Sequence, residues 1–167
     1  MKKIIILNGA GKKTGSTAAM IHAFQEGAAG NEITAFYLQT MNIHGCLDCG
    51  GCRQKEKGSA EPCVQKDDMQ QIYAALRDAD VIVFASPVYF WDITGTMKTA
   101  IDRLYAPLMN KAAGDPKGTV LLMTSGGSTI EHMLDWYKNF EEWLKWKDLG
   151  TAMNDVEKAR RIGESIR

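Results

Sequence analysis

The sequence predicts a doubly wound α/β fold, a parallel sheet with helices on both faces, and three observations predict it. The runs Val81-Ile82-Val83-Phe84-Ala85 and Thr119-Val120-Leu121-Leu122-Met123-Thr124 are short, β-branched and uninterrupted, as strands covered on both faces are. Strand-like and helix-like segments alternate with short connections over the 167 residues, the pattern of right-handed parallel crossovers. The first apolar run, Ile4 to Leu7, passes through Asn8-Gly9-Ala10-Gly11-Lys12-Lys13-Thr14-Gly15-Ser16-Thr17 into a helical pattern, a tight glycine turn from strand to helix. In such a sheet the ligand site lies beyond the carboxyl ends of the strands.

In chain order, the pattern predicts strands over 4–7, 31–38, 81–85 and 119–124, and a weaker one over 149–153. Helices are expected over 17–29, 67–78, 95–109, 130–147 and 154–166. Residues 41–66, rich in Gly and Cys, form an insertion too long for a connector. The whole chain, 1–167, is expected to fold as one domain. Twenty basic residues balance twenty acidic ones, so no long-range field attracts nucleic acid or an anionic membrane. Met1-Lys2-Lys3 followed by Ile4 to Leu7 has too short an apolar run for a signal peptide, and no segment is fit to span a bilayer. The expected compartment is the cytosol, where Cys46, Cys49, Cys52 and Cys63 are not structural disulfides.

The first loop reads as a phosphate cradle, because backbone N–H groups at a helix N-terminus, hydroxyls and lysines gather there. A triphosphate loop needs Gly-Lys-Ser/Thr, which Gly15-Ser16-Thr17 lacks. A dinucleotide fingerprint needs a third glycine and an acidic residue closing the second strand. Thr14 and Gln39-Thr40 fail both. A mononucleotide phosphate held by N–H groups, Ser16 and Thr17, with Lys12 or Lys13 supplying charge, fits best. The bland alternative is a turn capped by Ser16 beside two solvated lysines.

Two further loops stand at predicted strand ends. Pro87-Val88-Tyr89-Phe90-Trp91 offers flat aromatic surface to a planar ring, such as a flavin, or else caps the core or a subunit interface. Thr124-Ser125-Gly126-Gly127-Ser128-Thr129 brings backbone N–H groups to a polar ring edge, or is an ordinary glycine turn. Four thiolates, three of them at x-x spacing, suit a four-iron cluster or tetrahedral zinc, with free pocket thiols as the third reading. His22, His44 and His132 read as solvated or structural, and Trp136, Tyr137, Phe140, Trp143 and Trp146 as core or interface.

Together these pieces resemble the flavodoxin-like family of NADPH-dependent FMN reductases, in particular its iron-sulfur flavoprotein branch. The marks are Asn8-Gly9-Ala10 to Gly15-Ser16-Thr17, Cys46-x-x-Cys49-x-x-Cys52, Lys66-Asp67-Asp68-Met69, Ala85 to Phe90, and Gly95-Thr96-Met97-Lys98 through Ile101-Asp102-Arg103-Leu104. The resemblance implies a five-stranded sheet of order 2-1-3-4-5 and an FMN-dependent oxidoreductase in which the flavin, and no side chain, carries the chemistry. It implies that Asn8, Gly9, Ala10, Lys12, Thr14, Gly15, Ser16 and Thr17 hold the FMN phosphate. Pro87, Val88, Tyr89, Phe90 and Trp91 would hold the ring, and Thr124, Ser125, Gly126 and Gly127 its pyrimidine edge. Ala10 departs from the serine that relatives often carry, and Cys63 stands further from Cys52 than the fourth cysteine of such relatives. By the same analogy the four cysteines hold a 4Fe-4S cluster, and Asp102-Arg103 is a helix-borne pair supporting the flavin loop or an oligomer contact. A reduced nicotinamide, NAD(P)H, or a small redox protein is the implied donor, a small molecule or protein the acceptor, and a homodimer or homotetramer the assembly. The competing class is a non-catalytic electron carrier or a zinc-stabilised binding module on the same fold.

Overall fold

A computed structural model describes residues 1–115, 117–127 and 134–167. The chain forms β1 (Lys3–Asn8), α1 (Ser16–Gly27), β2 (Glu32–Tyr37), α2 (Met69–Asp78), β3 (Val81–Tyr89), β4 (Asp92–Ile93) and α3 (Gly95–Arg103). It continues through α4 (Tyr105–Met109), β5 (Gly118–Thr124), α5 (Asp135–Leu144), β6 (Lys147–Met153) and α6 (Val156–Ser165). Strands β2-β1-β3-β5-β6 pair in parallel in that order, with the short β4 antiparallel on β3. With β4 set aside, this is the 2-1-3-4-5 order that the resemblance implied.

The uninterrupted apolar runs are explained by burial on both faces. Ile5, Leu7, Ile82, Phe84, Leu121 and Met123 pack against Met69, Ile72, Leu76, Met97 and Tyr137 from α2, α3 and α5. Their neighbours Ile4, Ile6, Val83, Val120 and Leu122 face the other way, onto Met20 and Phe24 of α1 and Ala159 and Ile162 of α6. Because side chains alternate along a strand, both sets must be apolar when helices cover both faces. On that second face α1 and α6 touch backbone to backbone. A Cβ on Gly27 would lie 2.1 Å from the Arg160 carbonyl oxygen, and one on Gly163 would lie 2.3 Å from that of Phe24.

The helix expected over 95–109 is broken at Leu104 into α3 and α4. Pro107 has no N–H to return to the carbonyl of Arg103, and the Tyr73 hydroxyl donates to that oxygen instead, at 3.0 Å. The strand expected over 81–85 runs on to Tyr89, carrying Pro87 opposite Thr124 of β5. Strand β6 begins at Lys147, two residues before the expected 149, with a bulge opposite Thr119 and Val120 and Gly150 at φ 140°. Of the helix expected over 130–147, residues 130–133 lie outside the described residues. Its described part, α5, ends at Lys145 in the left-handed conformation. Among the described residues, no helix is long and apolar enough to cross a membrane.

Because the α1–α6 contact has no room for a methyl group, Gly163→Ala is expected to lower stability by about 1–3 kcal/mol, as overpacking does. Urea unfolding followed by circular dichroism measures this, and a wild-type midpoint would contradict the seating of α6.

Candidate functional site

The loops that follow β1, β3 and β5 meet at one end of the sheet, on either side of the point where the chain turns from β1 out to β2 and back to β3. The loop after β1 is fastened at its base. Gly9 N–H donates to the Ala85 carbonyl at 2.8 Å, Ala10 N–H to Asn8 Oδ1 at 2.9 Å, and Thr94 Oγ1 to the Gly9 carbonyl at 2.8 Å. Only glycine fits at position 9, because a Cβ there would stand 2.8 Å from both Thr94 Oγ1 and Met97 Cβ. Beyond this base Gly11, Lys12, Lys13, Thr14 and Gly15 are exposed. Lys13 Nζ lies 5.7 Å from the centre of the Tyr37 ring, and Gly15 turns the chain at φ 125°.

Helix α1 then starts without a side-chain cap and without an acidic residue in its first turn. Ser16 is therefore not the cap of the bland alternative: Gly15 occupies that position, and Ser16 opens the helix with an exposed side chain. The first N–H groups and the positive end of the helix dipole remain available to an anion. The buried Thr17 hydroxyl shares a 2.7 Å hydrogen bond with Thr124 Oγ1, joining this loop to the end of β5. A cleft of about 290 Å³ lies among Ala10, Lys12, Thr14, Ser16, Thr17, Pro87, Tyr89 and Thr124.

The aromatic segment is a hairpin rather than a loose loop. Val88 pairs with Ile93 and Tyr89 with Asp92, leaving Phe90 and Trp91 as a two-residue turn with φ of 50° and 63°. Such turns usually take Asn-Gly or Gly-Gly, so two bulky residues in the left-handed region are strained. Tyr89, Phe90 and Trp91 are 56%, 93% and 73% exposed, and none caps the core. Across from the hairpin, Asn154 clamps the chain after β5 by accepting from Ser125 N–H at 2.9 Å and donating to its carbonyl at 2.7 Å. A second cleft, also about 290 Å³, lies between Val88, Phe90 and Trp91 on one side and Ser125, Gly126 and Gly127 on the other. The expected residues of 8–17, 87–91 and 124–127 therefore share one rim, while Ser128 and Thr129 lie outside the described residues.

The four cysteines lie on another side of α3. Cys46 and Cys49 are exposed, Cys52 is half-buried, Cys63 is buried, and none forms a disulfide. All four line a single cavity of about 150 Å³ together with Arg53, Asp102, Arg103 and Tyr105. Among the described residues, no three His, Cys, Asp or Glu side chains are placed to hold a single metal ion. Four thiols thus surround a space that is not a closed single-ion site.

Asp102 and Arg103 do not pair with one another. Asp102 meets Lys98 on the surface, whereas Arg103 is buried against Asp67, Nη1 to Oδ2 at 2.6 Å and Nη2 to Oδ1 at 3.0 Å. Arg103 Nη1 also donates to the His44 carbonyl at 2.7 Å, and Nη2 to Cys63 Sγ at 3.6 Å, while Nε is buried without a partner. Burial pushes the Asp67 carboxyl up, but hydrogen bonds from Arg103 and from His44 N–H outweigh it and hold Asp67 below the usual carboxylate range. Burial drives the Tyr73 phenol well above its ordinary value, so it stays a neutral donor.

Sequence reasoning places Thr94 at a helix start but misses its hold on Gly9, and it misses Asn154 and the Asp67–Arg103 pairing. Only Thr94 left a local signal, a hydroxyl just before a helix start, and its Oγ1 does accept from Met97 N–H. His22 and His44 are exposed, and His132 lies outside the described residues. Trp136, Tyr137 and Phe140 pack edge-on to Phe84 in the core and Trp146 packs on Phe140, but Trp143 is exposed. A cavity of about 540 Å³, larger than either cleft, lies at the opposite, amino end of the strands among Lys2, Asp80, Lys117 and Lys147, away from all three loops. Its size reflects open surface of mixed charge.

Residues 2–157 match the family described as NADPH-dependent FMN reductase. The iron-sulfur flavoprotein of Methanosarcina thermophila is 30% identical over 142 residues, covering 80% of this chain and 72% of that protein. An iron-sulfur flavoprotein of Archaeoglobus fulgidus is 34% identical over 106 residues, covering 62% of this chain and 46% of that protein. The chain spans about half or less of the length of several such relatives. The solved NAD(P)H:quinone oxidoreductase of Methanothermobacter marburgensis superposes with a TM-score of 0.70 at 17% identity, covering 98% of this chain and 95% of that one. The flavodoxin, WrbA-like protein of Agrobacterium tumefaciens superposes at 0.64 with 18% identity, covering 99% and 95%. These superpositions establish a flavodoxin-like fold.

Removing one member of the buried ion pair strands the other. Asp67→Ala is therefore expected to cost about 3–5 kcal/mol in chemical unfolding. Since the folded carboxyl titrates below its unfolded value of about 3.9, the stability it supplies is complete above that value. It is lost as pH falls through the lower folded value. Wild-type unfolding free energy measured from pH 6 downward should show this acid loss, and Asp67→Asn should lack that share of it.

Proposed function

Since the chain belongs to the NADPH-dependent FMN reductase family, we propose that it is an FMN-dependent oxidoreductase passing electrons from a reduced nicotinamide or a small redox protein to a small-molecule or protein acceptor. The observation that carries this reading is the uncapped start of α1 at the sheet's rim, beside an aromatic hairpin and a backbone-lined cleft. A singly charged or doubly charged phosphate suits that helix end, where N–H groups lack partners and no carboxylate competes. In the proposed assignment, Ser16, Thr14 and the N–H groups of Gly15 to Thr17 hold the phosphate, and Lys12 adds charge. The Thr17–Thr124 hydrogen bond fixes the floor between the two clefts. Pro87 to Trp91 would hold the ring, and the backbone of Gly126 would meet its pyrimidine edge, with Ser125 N–H held by Asn154 and Gly127 N–H by Ser125 Oγ.

When bound, FMN supplies hydride and single-electron transfer, and the protein's share is to bind, orient and tune it. The Phe90–Trp91 turn holds its aromatic side chains over the cleft while Asn154 holds the opposing backbone still. Rate would then come from the way these residues hold donor and cofactor together rather than from a nucleophilic side chain. The exposure of Tyr89, Phe90 and Trp91 supports assembly as a homodimer or homotetramer.

For the cysteines we favour a thiolate-held 4Fe-4S cluster. The donor set fits: four soft ligands without disulfides line one cavity, and a guanidinium N–H rests on one of the sulfurs. The names of the iron-sulfur flavoprotein relatives support the same reading. Tetrahedral zinc and free thiols are the other outcomes of its test.

Anaerobically purified protein is expected to show flavin absorption bands and the broad brown shoulder of iron-sulfur, and to oxidise NADH or NADPH when an electron acceptor is present. Protein that takes up no FMN on reconstitution refutes the assignment. Ser16→Ala with Thr14→Ala should weaken FMN binding at least tenfold, since hydrogen bonds to a charged group contribute about 1.5–3 kcal/mol each. Fluorescence titration of the apoprotein measures this, and unchanged affinity would move the phosphate elsewhere.

A further inference from the structure

We propose that Arg103 is a positioning residue that sets the reduction potential of the metal centre in the cysteine pocket, by holding its N–H groups against the sulfur of Cys63. The proposal rests on the cluster reading above and goes beyond it by naming the group that tunes the centre.

A guanidinium has five N–H donors. Four of them are committed: two to Asp67, one to the His44 carbonyl and one to Cys63 Sγ. The side chain is among the largest that are fully buried, so water does not screen it. Asp67 grips both Nη atoms from one side and thereby turns the remaining N–H of Nη2 toward the sulfur and that of Nη1 toward the loop that carries Cys46. The pair is anchored from both elements, because Met69 N–H donates to Asp67 Oδ1 and the Tyr73 hydroxyl donates to the Arg103 carbonyl. A surface ion pair would need none of this support.

A cluster bound by four thiolates carries net negative charge, and reduction adds one electron more. A positive charge and an N–H···S hydrogen bond favour the more negative state and raise the potential. The carboxylate of Asp67 works in the opposite direction. Each half of the pair is therefore expected to move the potential with its own sign, whereas a loss of packing would carry no such sign.

The test reconstitutes full-length wild-type protein, Arg103→Lys, Asp67→Asn and Tyr73→Phe with iron and sulfide under anaerobic conditions. Iron and sulfide content is measured first, and each protein is then titrated with dithionite and followed by electron paramagnetic resonance. Arg103→Lys keeps a charge for Asp67 but loses the fork. Its reduced-to-oxidised ratio at the wild-type midpoint is expected to fall about tenfold, a shift of about 59 mV for a one-electron couple. Asp67→Asn should shift the midpoint the other way. Tyr73→Phe, which loosens the anchor and leaves the N–H donors in place, should lower stability without shifting it. If Arg103→Lys does not fold, the double variant Arg103→Gln with Asp67→Asn replaces the ion pair by neutral amides and should still lower the midpoint.

Unchanged midpoints, shifts of one sign in both single variants, or an equal shift in Tyr73→Phe would overturn the role of Arg103 and leave the cluster standing. Wild-type protein that takes up no iron and sulfide would overturn the cluster reading, and with it this inference, through a different measurement.

Discussion

Three central strands buried on both faces leave this sheet only its ends and edges to offer a ligand. Strands β1, β3 and β5 carry apolar side chains up and down, and helices cover both sets. A polar ligand inserted there would displace tightly packed core. The parallel arrangement sends every one of these strands to the same rim before the chain turns back, so three loops distant in sequence become neighbours. The Thr17–Thr124 hydrogen bond, across 107 positions, shows how closely they meet.

The second constraint is the way the cysteine segment is held. Residues 41–66 contain one short 3-10 turn, Gly51–Gln54, and little core of their own. Arg103 of α3 and Asp67 just before α2 reach the His44 carbonyl, the His44 N–H and Cys63, beside the Asn42–Asp68, Gln70–Cys63 and Arg77–Ser59 hydrogen bonds that also fasten the segment. Burying such a pair is worthwhile only with good geometry and nearly complete hydrogen bonding, and here four of five guanidinium donors are matched. The same arginine lies where Pro107 interrupts the helix, and the freed carbonyl is taken up by Tyr73. Helix break, ion pair and cysteine cavity are one connected arrangement.

Much of the fold was legible in the sequence because periodicity and apolar runs report burial directly. Strands 4–7, 81–85 and 119–124 declared themselves through β-branched runs, and the glycine loop after the first declared its turn. The aromatic hairpin was not legible, since Phe90-Trp91 is the reverse of the chemistry that two-residue turns normally take. The weak last strand was hard to place because its pairing with β5 passes through a bulge at Gly150. Arg103 and Asp67 both stood within quoted motifs, but each was read beside its sequence neighbour. Local spacing on a helix cannot reveal a partner 36 residues away.

By itself, the sequence determined the layered α/β architecture, the anion-receptive loop and the gathering of soft ligands, because these follow from composition and spacing within short segments. Only the tertiary structure decided which loops share a rim, that Ser16 opens the helix uncapped, and that a buried guanidinium faces Cys63. Those outcomes depend on long-range packing, where the energy of a contact is set by residues that the chain order keeps apart.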